Sequence, residues 1–199
     1  MFSAALPERL NAATIFVDVH LSEGRADKAA ILCGDQAVTY RQLQDGVNRF
    51  GNVLLELEVR IEERVAILLP DSPEWAYAFF GSMKIGAVAV PLNTLLTSKD
   101  YEYLLNDSRA RVLVVHESLL GQILPIRENL RYMQHLVTTG AKGPRLLNLD
   151  ELMERASSSL APADTSRDDA AFWLYSSGTT GSPKGAIHLH HDMVVESDQ

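Results

Sequence analysis

Between Tyr175 and Gly185 the chain reads YSSGTTGSPKG. Gly178 and Gly181 permit positive φ and let backbone N–H groups come close to an anion, while Ser176, Ser177, Thr179, Thr180 and Ser182 add hydroxyl donors. Lys184 supplies a full positive charge where the loop ends. Together these groups have the chemistry of a phosphate cradle. The P-loop of nucleotide hydrolases is a different device, since it needs glycine directly before its lysine and a helix directly after it. Here Pro183 precedes Lys184, and Ala186 to Leu189 (AIHL) reads as a strand, which removes any helix-dipole contribution to the anion. The G-x-G-x-x-G spacing of a dinucleotide site is absent as well. An ordinary serine–glycine turn would not require hydroxyls, glycines and a cation to converge between two apolar segments, the usual setting of ligand loops in α/β folds.

Other residues with chemical potential are weaker. His188 and His190 lie two apart, hence on one face of a strand, and His191 and Asp192 follow. That run could begin a metal site, but no second ligand pair exists elsewhere, so a strand end leading into a helix is expected and no metal is assigned. Cys33 is the single cysteine and has no basic neighbour in sequence to activate its thiol, which favours a packing role. It cannot form an internal disulfide, which suits a reducing compartment and gives a cytoplasmic location as the expectation. Trp75 and Trp173 fall inside apolar segments and read as core.

The elements that must position the loop follow from hydrophobic patterning. With 199 residues and 46% hydrophobic content the chain can bury a good-sized core. Its 26 acidic against 18 basic residues, a formal net charge of −8, argue against a nucleic-acid backbone or an anionic membrane and for a small-molecule ligand. The N-terminus lacks a basic region leading into a continuous apolar one, so no signal peptide is expected. The most apolar stretch, Trp75 to Leu92, is interrupted by Lys84, two glycines and Pro91, and reads as a buried helix and strand rather than a membrane span.

Thr39 and Gln42 have capping-box form, and Leu43, Val47, Phe50, Leu54 and Leu57 recur at helical spacing, predicting a helix from Tyr40 to about Leu57. Val65 to Leu69 (VAILL) reads as a strand buried on both faces. Ser72 and Pro73 open a second helix to about Ile85, stopped by Gly86. A short strand over Ala87 to Val90, a helix capped by Thr97 or Ser98 through about Asn106, and a strand over Arg111 to Val115 continue the alternation. Pro125 predicts a break in the helical pattern of Glu117 to Leu130. His135 to Thr139 is a further strand candidate. Ser157 to Asp169 is a surface connection to the strand Ala171 to Tyr175 that delivers the loop. Asp192 is expected to cap a helix beginning at Met193, and the chain then stops at Gln199 as if cut. The alternation predicts an α/β domain with a largely parallel sheet flanked by helices and the phosphate loop between two strands.

YSSGTTGSPKG strongly resembles the signature phosphate loop of the adenylate-forming superfamily, which comprises acyl- and aryl-CoA synthetases, luciferases and the adenylation domains of peptide synthetases. The similarity continues through TYRQLQDGVNRFGNVLLELEV, RVAILLPDSPEWAYAFFGSMKIGAVAVPLNTLLT and YEYLLNDSRARVLVV. Within that superfamily, FVDVHLSEGRADKAAI, LNTLLTSKDYEYLLNDSRARVLVV and FWLYSSGTTGSPKGAIHLHHDM most resemble benzoate-CoA ligases and their hydroxy- or aminobenzoate relatives. The resemblance implies that a small aromatic carboxylic acid attacks the α-phosphorus of ATP with Mg²⁺, giving an acyl-adenylate and pyrophosphate, and that coenzyme A then displaces AMP. Carried over, it assigns Ser176, Ser177, Gly178, Thr179, Thr180, Gly181 and Lys184 to the β- and γ-phosphates, with Lys184 as the catalytic side chain that stabilises pyrophosphate.

One local departure is that Glu58, Glu62 and Glu63 stand where many relatives have glycine-rich turns. The resemblance also implies features that lie beyond the phosphate loop: adenine and ribose motifs, most of the acid pocket, a hinge and a C-terminal domain with a second lysine. Residues 1–199 are therefore expected to form an incomplete N-terminal domain, inactive alone. Loading of a carrier protein instead of coenzyme A, activation of a fatty acid, and a non-enzymatic truncated fragment are the alternatives. Nothing in the residues addresses oligomeric state.

Overall fold

A computed structural model describes residues 6–176 and 181–197. Its strands are β1 (Ala29–Cys33), β2 (Gln36–Thr39), β3 (Arg64–Leu68), β4 (Val88–Pro91), β5 (Val112–His116), β6 (His135–Thr139), β7 (Leu147–Asn148), β8 (Ala170–Ser176) and β9 (Lys184–Leu189). Its α-helices are α1 (Val19–Ser22), α2 (Tyr40–Glu56), α3 (Pro73–Lys84), α4 (Ser98–Asp107), α5 (Leu120–Ile123), α6 (Leu149–Arg155) and α7 (His190–Ser197). The predicted caps form: Thr39 and Gln42 make a reciprocal capping box on α2, Ser72 Oγ accepts from the Trp75 N–H, and Thr97 pairs with Asp100 on α4. Pro125 falls where α5 gives way to a 3₁₀ turn over Leu124–Asn129, since proline cannot supply the α-helical N–H.

Seven of the described strands form one sheet in the order β7-β6-β5-β3-β4-β8-β9, parallel throughout except for the last pair. The uninterrupted apolar runs are explained by burial of both faces. Val65 and Ile67 of β3 and Val112 and Val114 of β5 face α2, α3 and α6, packing with Phe50, Leu54, Met83 and Leu152. The alternate residues Ala66, Leu68, Leu113 and Val115 face the other layer, with Tyr101, Leu104 and Leu105 of α4 and Ile123 of α5. Two layers of helix thus sandwich the sheet.

Three helix-to-strand turns are built alike. After α2, α3 and α4 the chain closes paired backbone bonds of the Schellman kind: Glu58 to Leu55 and Val59 to Leu54, Gly86 to Met83 and Ala87 to Ser82, Arg109 to Asn106 and Ala110 to Leu105. The residue at the left-handed position is Glu58 (φ 58°), Gly86 (φ 76°) and Arg109 (φ 53°), respectively. Glu62 is also left-handed at φ 64°. Glu58 and Glu62 therefore take the conformation glycine favours, at a cost of about 1 kcal/mol each, whereas Glu63 does not.

Further elements extend the predicted set. β1 and β2 form a hairpin through Gly34 (φ 57°) and Asp35, which covers Leu43 and Val47 of α2 with Val38. The connection predicted over Ser157 to Asp169 is strapped to α2: Asn48 Nδ2 donates to the Ser158 carbonyl at 2.8 Å and Asn52 Nδ2 to that of Ser157 at 2.8 Å, while Arg49 Nη1 ties the preceding α6 through the Met153 carbonyl at 3.0 Å. Lys84, the charge inside the most apolar stretch, is buried and pairs with Asp18 at 2.7 Å. The helix expected from Met193 instead begins at His190. Asp192 lies inside its first turn and accepts the Leu189 N–H at 2.8 Å, the reciprocal capping bond of an N3 residue rather than that of an N-cap. Among the described residues no helix is long and apolar enough to cross a membrane.

Candidate functional site

β4 and β8 are adjacent and parallel, with Ala89 opposite Phe172. The segments that follow them therefore leave from the same edge of the sheet, the carboxyl end where α/β folds place ligand loops. After β4 comes α4; after β8 comes the glycine-and-hydroxyl loop. The return strand β9 is antiparallel to β8, and the last rung of their ladder sets Ser176 opposite Lys184. Two of the predicted phosphate ligands, one at each end of the loop, thus meet at its mouth. Gly181 is exposed and left-handed at φ 115°, with no atom within 4 Å of where a Cβ would sit. Ser177, Gly178, Thr179 and Thr180 lie outside the described residues.

Lys184 is exposed, and among the described residues no carboxylate lies within ion-pair distance of it. Beside the loop's return is an open hollow of about 420 Å³ lined by Lys99, Asp100, Tyr103, Gly181, Ser182 and Pro183. Two contacts join α4 to the loop's flanks. Tyr103 Oη donates to the Pro183 carbonyl at 3.0 Å, and Tyr175 Oη donates to Asp107 Oδ2 at 2.7 Å. Burial, reinforced by the Asp107 carboxylate, pushes the Tyr175 phenol's pKa well above its usual range, so it remains a donor.

The histidine run separates into three environments. His188 stacks on Phe172 with ring centroids 4.5 Å apart, and His191 lies 3.1 Å from Asp168 and from Asp192. His190 does not share a strand face with His188, because it opens α7. It is fully buried, and its Nδ1 accepts the Ala12 N–H at 3.1 Å, stitching the N-terminal segment to the element after the loop. Among the described residues no group of three His, Cys, Asp or Glu side chains converges as metal ligands do. Trp173 packs against the α4 layer with Arg64 5.8 Å above its ring, Trp75 stacks on Phe79, and Cys33 is half-buried in β1.

His190 should make stability pH-dependent. Burial pushes its pKa from 6.5 down to about 4, against a smaller opposing effect of Asp169. Between those values the unfolded chain binds more protons than the folded one. Stability is therefore full above the unfolded value and is lost as pH falls toward the folded one, by about 3 kcal/mol in all. Urea denaturation between pH 4 and 7 should show this slope, and His190→Gln should flatten it.

Residues 19–198 match the family described as AMP-binding enzyme. The 4-hydroxybenzoate--CoA/benzoate--CoA ligase of Rhodopseudomonas palustris is 39% identical over 180 residues, covering 90% of this chain and 33% of that protein. The benzoate--CoA ligase of Thauera aromatica is 39% identical over 190 residues, covering 95% of this chain and 36% of that protein. In three dimensions the chain is similar to the crystal structure of the anthranilate CoA ligase AuaEII in complex with anthranoyl-AMP, with a TM-score of 0.93 and 40% identity over 97% of this chain and 37% of that one. The chain thus spans about a third of the length of the relatives it matches.

Proposed function

This chain belongs to the AMP-binding enzyme family, and on that basis we propose that the whole protein is an ATP-dependent aryl-acid:CoA ligase. The observation that carries this reading is Lys184 set opposite Ser176 at the mouth of a glycine-and-hydroxyl loop, in a chain 39% identical to benzoate-activating ligases. In the first step an aromatic carboxylate oxygen attacks the α-phosphorus of ATP and the bond to the β-phosphate oxygen breaks, leaving acyl-adenylate and pyrophosphate. In the second, the coenzyme A thiolate attacks the acyl carbon and AMP departs with the bond's electrons.

Ser176, Ser177, Gly178, Thr179, Thr180 and Gly181 hold the β- and γ-phosphates in this scheme, and Lys184 neutralises the charge that accumulates on the departing pyrophosphate. The donor set fits phosphate oxygens: hydroxyls, glycine N–H groups and one ammonium. No acidic cluster accompanies it among the described residues. Mg²⁺ would bind through the nucleotide's own phosphates and water and would supply further charge neutralisation there. The matched share of the relatives' length supports assigning activity to the longer protein and inactivity to these 199 residues alone.

The test is isotope exchange between pyrophosphate and ATP by the whole protein, with benzoate and its hydroxy and amino derivatives as acids. Exchange with an aromatic acid is expected, abolished by chelating Mg²⁺, with thioester forming once coenzyme A is added. Exchange with aliphatic acids alone would overturn the aromatic assignment, acyl transfer only to a carrier protein would overturn the coenzyme A assignment, and no exchange with any acid would overturn the reading altogether.

A further inference from the structure

We propose that Tyr103 and Asp107 on α4 are positioning residues that brace the two ends of the phosphate loop. The consequence for catalysis rests on the ligase reading; the geometry does not. The chain leaves β8 at Tyr175 and Ser176 and returns through Pro183 to Lys184. Each end is tied to the same helix, by the Tyr175–Asp107 bond of 2.7 Å on one side and the Tyr103–Pro183 bond of 3.0 Å on the other. Tyr103 and Asp107 are one helical turn apart and so share a face.

That face belongs to a fixed element. Tyr101, Leu104 and Leu105 are buried in the layer beneath, Tyr101 Oη donates to the Asn93 carbonyl at 2.8 Å, and a capping box closes the helix start. The bond to the Pro183 carbonyl sets the plane of the peptide unit that carries the Lys184 N–H. The bond from Tyr175 holds the last turn-side residues of β8, with the tyrosine ring packed on the α4 layer. The β8–β9 ladder registers the two strands against each other and β8 is registered on β4, whereas these two bonds tie the loop ends of the hairpin to α4. A loop that receives a polyphosphate gains affinity when its flanks are already in place, because less ordering remains to be done on binding.

In the whole protein, Tyr103→Phe and Asp107→Ala should each raise the KM for ATP about five- to tenfold, the worth of one net hydrogen bond, with the KM for the acid unchanged. Asp107→Asn retains an oxygen that accepts from Tyr175 and should recover most of the loss. Adding Tyr175→Phe to Asp107→Ala should bring no further increase, because both remove the same bond. Hydrogen exchange of the unliganded protein gives a readout independent of the reaction: the amides between Gly181 and Gly185 should exchange faster in Tyr103→Phe and Asp107→Ala, and those of β3 and β5 should not. An unchanged KM for ATP in both variants overturns the proposal, as does an equal loss for both substrates with a lowered Tm. If the wild-type protein activates no acid, the ligase reading fails separately, and exchange at the loop's return, faster or unchanged, decides the brace.

Discussion

Lys184→Ala in the whole protein should slow acyl-adenylate formation by about 10²- to 10³-fold, the usual cost of removing one preorganised charge from a developing anion. The effect should divide between the two half-reactions. In the first, on the proposed reaction, the pyrophosphate leaving group would gather negative charge at the loop, where Lys184 stands opposite Ser176. In the second, on the same proposal, coenzyme A would attack an acyl-adenylate from which pyrophosphate has already gone, so Lys184 would have no charge left to neutralise. Thioester formation from supplied acyl-adenylate should therefore stay within about threefold of wild type, a difference below 1 kcal/mol. Lys184→Arg retains the charge on a larger group and should recover part of the adenylation rate. Because Lys184 is exposed, added salt should weaken nucleotide binding in the wild type more than in Lys184→Ala. Equal losses in both half-reactions would show that the side chain supports the fold rather than the leaving group.

How much of this was legible depended on whether the relevant contacts are local in sequence. Val65 to Leu69 and Arg111 to Val115 announce buried parallel strands because helices cover both faces. The caps at Thr39 and Ser72 involve residues three apart, and the structure contains both. The hairpin of β1 and β2 left a weaker trace: its Gly-Asp turn is a recognised signal, but Leu32 is 78% exposed, so apolar alternation is blurred. Glycine marked one of the three Schellman turns and residue type concealed the other two, where Glu58 and Arg109 take the same conformation. His190 was misplaced because a period-two reading of His188 and His190 runs past the end of β9. The loop's own residues were readable as one contiguous segment. Its supports were not, since Tyr103 and Asp107 meet it across 80 and 68 residues.

The pair Lys84–Asp18 should give the largest stability effect away from the loop, and the two partners should not be equivalent. Lys84 lies at the end of α3 with its side chain 2% exposed, whereas that of Asp18 is 18% exposed. Asp18 Oδ1 also accepts from Gln44 Nε2 at 2.8 Å, while Lys84 Nζ has no other protein bond among the described residues. Removing the carboxylate therefore strands a dry ammonium; removing the lysine leaves a carboxylate that keeps one donor and some water. Asp18→Ala should cost about 4 kcal/mol, near the middle of the range for breaking a buried pair from one side. Lys84→Met fills the space with an apolar chain and should cost about half as much. The double variant Asp18→Asn/Lys84→Met has no buried charge to strand, so it should be more stable than Asp18→Ala, although it has lost both ionic partners. Urea denaturation of the whole protein measures all three, and a Lys84→Met loss equal to or larger than that of Asp18→Ala would overturn the asymmetry. The pair joins the end of α3 to the segment that precedes α1, and Asn11 strengthens the same junction by donating to the Met83 carbonyl at 2.9 Å. The first core layer, on which β4 and β8 are packed, is thus closed at its N-terminal side by this buried charge pair together with the apolar Ala12 and Phe16.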